Sequence, residues 1–110
     1  MEIKKRITER ELQDELLSLK DLNVAEWKML EYSVNLLQEN FVTKLREEFP
    51  VLSKDDIHII LLIRINMENI EIARLLHILP KSFRMRRYRL KKKMRINCNS
   101  LSEFLKDLFR

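Results

Sequence analysis

"LSKDDIHIILLIRI", residues 52–65, decides the fold. Its alternate positions Ile57, Ile59, Leu61, Ile63 and Ile65 are apolar, which taken alone is the period of a strand. The start of the stretch points the other way. Ser53 can cap a helix with Asp56 three positions later, a carboxylate version of the reciprocal capping box, while Leu52 can pack on Ile57 as a hydrophobic staple. Asp55 and Asp56 also fall in the first turn, where the helix dipole favours anions. The stretch therefore reads as a helix over about 54–65, apolar nearly all round because other helices cover it on several sides. His58 and Arg64 are expected on its more exposed side, with His58 as a satisfied structural residue.

Working outward, the chain of 110 residues contains no Gly and only two Pro. Tight β-hairpins need backbone with positive φ, and the residue that supplies it most readily is missing. Helices joined by short turns are the remaining choice, so the fold class is all-α. The 45% apolar content is enough for one small core and excludes a wholly disordered chain, although 35% of the residues are charged.

Upstream, residues 2–22 read as a charged helix carrying Ile3, Ile7, Leu12, Leu16 and Leu19. The last three keep heptad-like spacing, and the step from Ile7 to Leu12 breaks it. A short coiled coil and a single helix packed on its own domain both fit. Asn23 is a cap or turn residue. A second helix runs from about 25 to 38 with Trp27, Leu30, Val34 and Leu37 on one stripe. Phe41, Val42 and Leu45 continue the apolar set to Phe49, where Pro50 steers the chain out of helical geometry. Trp27 and Phe41 are read as core residues.

Downstream, a helix over about 69–76 turns Ile72, Leu75 and Leu76 inward, with Ala73 where a neighbour can cross closely. "LHIL" (76–79) turns the chain, and Pro80 takes the first position of the next helix, its φ preset and no N–H wasted. From there Phe83, the stem of Arg87, Leu90 and Met94 form a core stripe, opposite Arg84, Met85, Tyr88, Lys91 and Lys92. Ser100 and Glu103 form a second capping box ahead of Leu101, Phe104, Leu105 and Leu108.

The net charge of +5 is unevenly spread. Residues 1–50 carry 8 basic and 11 acidic side chains, and residues 80–95 carry 9 basic and none acidic. One segment is basic rather than the whole protein, as expected where one surface meets phosphate. Cys98 stands alone, so no intrachain disulfide can form, and a reduced thiol in a cytoplasmic protein is the expectation. His58 and His77 lie 19 positions apart with no ligand-like spacing, so neither a metal site nor a cofactor is expected. No Ser/His/Asp set, glycine-rich phosphate loop or carboxylate pair suggests an enzyme. The N-terminal "MEIKKRITERELQDELL" lacks the apolar segment of a signal peptide. The longest apolar run, "IHIILLIRI", is interrupted by Arg64 and falls far short of the roughly 18 residues a membrane span needs.

Two short helices joined by a tight turn, the second basic on its outward face, make a helix-turn-helix whose second helix, over about 80–94, can enter the major groove of double-stranded DNA. Arg84 is the candidate for reading guanine, since a guanidinium offers paired donors to O6 and N7. Met85 suits a thymine methyl, and Tyr88 a base or phosphate. Lys81, Ser82, Arg86, Arg87, Arg89, Lys91, Lys92 and Lys93 are candidate phosphate contacts, which fix register without carrying sequence information.

The same residues resemble the LuxR/GerE (NarL-type) helix-turn-helix family, whose pattern reads roughly L-T-x-x-E, N-K-E-I-A, I-S-x-K-T-V, then K-L. The matching positions are Leu52-Ser53, Asn69 to Ala73, Ile78, Lys81 to Phe83, and Lys93-Met94. "FPVLS" before them and "RYRLKKKM…SLSEFLKDL" after them are similar to the C-terminal output domain of bacterial sensor-regulators carrying tetratricopeptide repeats. The resemblance spans 49–109 well and 25–48 loosely. It implies a four-helix DNA-binding domain over 50–110, preceded by a helical linker or dimerisation region over 1–49. It also implies a homodimer formed through Leu101, Phe104, Leu105 and Leu108, and a sensor region upstream in a longer protein. Base-facing sites by the family pattern fall on Arg84, Met85 and Tyr88.

Three positions depart from the family pattern. Asn66 and His77 stand where glycine is usual, and both types tolerate left-handed backbone. Leu79 stands where a capping serine is usual and cannot cap. The competing readings of the basic helix are a solvated face, a module docking on an acidic protein or anionic lipid, and RNA binding, which lacks an aromatic platform here.

Overall fold

A computed structural model describes residues 8–97 and 99–109. Among them are seven helices and no strand: α1 (Glu9–Leu17), α2 (Val24–Leu37), α3 (Phe41–Glu48), α4 (Lys54–Arg64), α5 (Asn69–Leu75), α6 (Pro80–Lys93) and α7 (Leu101–Asp107). The all-α expectation holds for these residues. Ile3, Ile7 and Cys98 lie outside the described residues.

Stretch 52–65 is helical for the reason its first turn gives. The Ser53 hydroxyl accepts from the Asp56 N–H at 3.1 Å, and the Asp56 carboxylate accepts from the Ser53 N–H at 2.9 Å. Two orphan donors at the helix start are thereby satisfied. The strand-like alternation carries no weight because the intervening positions are buried too: Ile57 through Ile65 is an unbroken buried run. α4 runs through the middle of the molecule, with α2, α5 and α7 packed around it.

That enclosure corrects the expectation for His58 and Arg64, which are 7% and 3% exposed. Arg64 is held by partners far away in sequence. Its Nε donates to Gln38 Oε1 at 3.1 Å, and its Nη1 donates to the carbonyls of Leu105 and Leu108, the latter at 2.8 Å. The guanidinium also sits 4.3 Å from the centre of the Phe41 ring. A cation at the carbonyl end of α7 meets both its unpaired acceptors and the negative end of its dipole. His58 lies flat on Trp27, ring centres 3.7 Å apart and planes within 2°. Its Nε2 is buried without a hydrogen-bond partner, so the ring is not the satisfied histidine expected. Burial lowers its pKa below the ordinary histidine value, against the pull of Glu31 and Asp55.

α1 is shorter than the helix expected over 2–22, running from a Thr8 capping box with Glu11 to a C-cap at Ser18. Leu12 and Leu16 join the same buried cluster as α2 to α7, which favours packing on the chain's own domain over a coiled coil. Polar ties reinforce this. Gln13 Nε2 donates to the Ile65 carbonyl, Asn66 Nδ2 donates to Glu9 Oε1 at 2.9 Å, and Arg74 donates to the carbonyls of Leu17 and Leu19. The core is continuous from Leu12 to Leu105.

With no glycine available, six of the described residues take positive φ on other residue types: Glu39, Asn40, Asn66, His77, Arg95 and Phe109. Asn66, at φ 66, ends the α4 turn, and His77, at φ 56, makes the turn between α5 and α6. Both are the positions where left-handed backbone was expected.

Candidate nucleic-acid interface

Local chemistry decides where α6 begins. Leu79 is the N-cap with extended backbone and no side-chain cap bond, and Pro80 occupies the first turn as anticipated. Phe83 and Leu90 are almost wholly buried, Met94 just beyond the helix is buried as well, and Arg87 is half-buried. Those positions recur at helical spacing and fasten one face of α6 to the core.

The other face opens to solvent. Lys81, Ser82, Arg84, Met85, Arg86, Tyr88, Arg89 and Lys92 are exposed, and Lys91 is half-buried. Around the helix Met85, Tyr88, Lys81 and Lys92 point most directly outward, with Arg84 to one side and Arg86 to the other, given about 100° per residue. Lys92 Nζ stands 4.8 Å from the centre of the Tyr88 ring, a cation–π contact that restrains both side chains. The three expected base-facing residues therefore lie on the accessible side.

Two of the expected phosphate contacts are engaged within the chain. Arg87 Nη1 donates to Asn69 Oδ1 at 3.1 Å and its Nη2 to Ser102 Oγ at 3.0 Å. This guanidinium fastens α6 to the start of α5 and to α7, and burial lowers its pKa from the usual arginine value. The reason follows from its place on the core-facing stripe, where only its stem was expected to be covered. Lys93 Nζ pairs with Asp56 Oδ2 at 2.6 Å. Partial burial works against the Asp56 carboxylate, but its bonds to Lys93 and Ser53 outweigh it and hold its pKa below the ordinary aspartate value. Arg86 and Arg89 line a cleft of about 270 Å³ together with Ser53, Asp55, Asp56 and Ile59. The acidic first turn of α4 thus flanks one side of α6, a neighbour that the charge count along the sequence could not reveal.

Of the four positions expected to pair subunits, two lie inside the chain's own core. Leu101 and Leu105 are 4% and 0% exposed because α7 packs them against α4 inside the same chain. Phe104 and Leu108 are partly buried against that core. The α7 N-terminus is capped as expected, with the Ser100 hydroxyl accepting from the Glu103 N–H at 3.2 Å.

Among the described residues no group of His, Cys, Asp and Glu side chains is arranged to hold a metal ion, and no helix is long and apolar enough to cross a membrane. Comparison with known proteins gives no match: no family model fits the chain, no curated protein matches it, and no solved structure does.

Proposed function

We propose that the protein binds double-stranded DNA with sequence preference, as a dimeric regulator of transcription, with α6 lying in the major groove. One observation carries this reading. α6 is fixed to the core through Phe83, Leu90 and Met94, while Lys81, Arg84, Arg86, Arg89 and Lys92 stand exposed together with Met85 and Tyr88. A rigidly mounted helix with cations flanking an arginine, a methionine and a tyrosine suits a groove about 12 Å wide, lined by phosphates and floored by base edges.

The roles divide by side-chain chemistry. Arg84 reads guanine, Met85 meets a thymine methyl, and Tyr88 hydrogen-bonds a base or phosphate. Lys81, Ser82, Arg86, Arg89, Lys91 and Lys92 meet backbone oxygens. Arg87 acts instead through Asn69 and Ser102, setting the angle at which α6 is presented. Lys93 reaches phosphate only by leaving Asp56. The resemblance of residues 49–109 to the LuxR/GerE output domain supports the same reading, and the left-handed corners at Asn66 and His77 are compatible with it.

Selection of bound fragments from random duplex DNA, followed by binding titrations, tests the proposal. With about five phosphates neutralised per module, log K falls against log salt with a slope of about −4 to −5. Arg84→Ala removes discrimination worth about 1–3 kcal/mol at one base pair, while Lys92→Ala weakens every sequence alike. Selection that enriches no sequence, or binding that follows vesicle charge instead of DNA, refutes it.

A further inference from the structure

α2 is apolar on two sides. Leu30 and Val34 face the core, with Trp27 and Leu37 beside them. On the far side, Ala25, Met29, Tyr32 and Leu36 are all exposed, the last three at 63%, 48% and 56%. Their spacing is four, three, four, which at about 100° per residue keeps them within an arc of roughly 60°. That is the 3.5-residue period of a seam between two helices rather than a scatter of exposed side chains. The stripe carries no charge, and the half-buried Ser33 adjoins it.

We infer that this stripe is where a second copy of the chain docks, α2 against α2 and antiparallel about a two-fold axis. The inference deepens the dimeric part of the function proposed above by naming its surface. Three observations select a second copy as the occupant. First, the stripe is self-complementary: with the axis between Met29 and Tyr32, Ala25 of one copy faces Leu36 of the other and Met29 faces Tyr32, small against large at each end. An isologous interface requires this of one surface patch. Second, the α2 charges that flank the stripe do not oppose one another in that arrangement. Glu26 comes beside Ser33 of the other copy, and Lys28 beside Asn35. Third, half of the α7 stripe that could have served is taken up inside the chain, as Leu101 and Leu105 are covered by α4.

Size sets the strength. Four such side chains expose a few hundred Å² of apolar surface, enough to mark an interaction site. Two copies with their rims bury on the order of 1,000 Å², at the lower end of specific interfaces, where weak, reversible association is the rule.

Sedimentation equilibrium of the full chain without DNA, over about 1–500 μM, is the test. The unaltered protein is expected to pass from monomer to dimer. Met29→Glu and Leu36→Glu each place a charge in the seam and are expected to raise the dissociation constant at least tenfold, with helical content unchanged, and Tm unchanged at concentrations where the unaltered protein is also monomeric, because both positions are exposed. A second measurement fixes the geometry. On a Cys98→Ser background, mixing Met29→Cys with Tyr32→Cys is expected to give a disulfide-linked pair under mild oxidation, whereas Lys44→Cys mixed with Tyr32→Cys gives none. Monomer throughout the range, a dimer indifferent to both glutamates, or equal cross-linking from position 44 each overturns the inference. Because no DNA is present, such a result leaves groove binding by α6 standing, and loss of DNA binding alone leaves the dimer standing.

Discussion

Replacing Leu79 by serine is expected to stabilise the protein. Leu79 holds the backbone of an N-cap, φ −69 and ψ 148, yet offers no acceptor, and Pro80 brings no N–H. The donors awaiting a partner at this end are the N–H groups of Lys81 and Ser82, since Phe83 N–H is the first to bond back, to the Leu79 carbonyl at 3.0 Å. A serine oxygen at position 79 lies where it can accept from the third helical residue, a gain of about 1 kcal/mol. Nothing offsets it, because the Leu79 side chain is 72% exposed and belongs to no part of the core. For a domain of this size about 1 kcal/mol corresponds to a rise in Tm of roughly 4 °C. The comparison variant is Leu79→Ala, which removes the same side chain and supplies no acceptor, and it should melt within about 1 °C of the unaltered protein. Urea unfolding at neutral pH gives the free-energy difference directly, with the m-value unchanged. If serine proves no better than alanine, the start of α6 is not where the backbone geometry puts it.

The other predictions concern the two buried polar residues of α4. Arg64→Leu strands the carbonyls of Leu105 and Leu108 and the Gln38 amide oxygen, and should lower stability by about 3 kcal/mol. Amide exchange should then rise first across α7, and uniform loosening of all helices would contradict the role given to this guanidinium. His58 gives a pH dependence whose sign follows from its lowered pKa. The unfolded chain takes up a proton near pH 6.5 and the folded chain does so only at lower pH, so acidification below about 6.5 favours unfolding, by at most about 1.4 kcal/mol per pH unit. Above about pH 7 both states are neutral and the contribution is flat. His58→Phe preserves a ring against Trp27 and should abolish this limb in urea titrations run between pH 5 and 8. A slope that survives the substitution must come from another group.

The sequence made local features plain and hid distant ones. The capping box at Ser53, the cap at Ser100, the proline opening α6, and the spacing of Phe83, Leu90 and Met94 all lie within one helix or its first turn. Each could be read from neighbouring letters. The surroundings of His58 and Arg64 could not, because Trp27, Gln38, Leu105 and Leu108 are brought to them from 26 to 44 positions away or across the α2–α4 contact. The α7 stripe shows a second limit. Leu101 and Leu105 have the same pattern whether they meet their own core or another molecule, and only packing against α4 separates the two. For α6 the outward face was legible from its period, whereas the engagement of Arg87 with Asn69 and Ser102 and of Lys93 with Asp56 depended on how two other helices approach it.

The left-handed corners have a consequence for how the outer helix moves. A glycine joint swivels freely because most of the backbone map is open to it, whereas His77 reaches its conformation only in a narrow island beside steep steric walls. Once α5 and α6 are packed, the corner has no second shallow basin to wander into, so the pair behaves as a bracket instead of a hinge. His77→Gly should leave the average geometry intact while widening the spread of angles between the two helices.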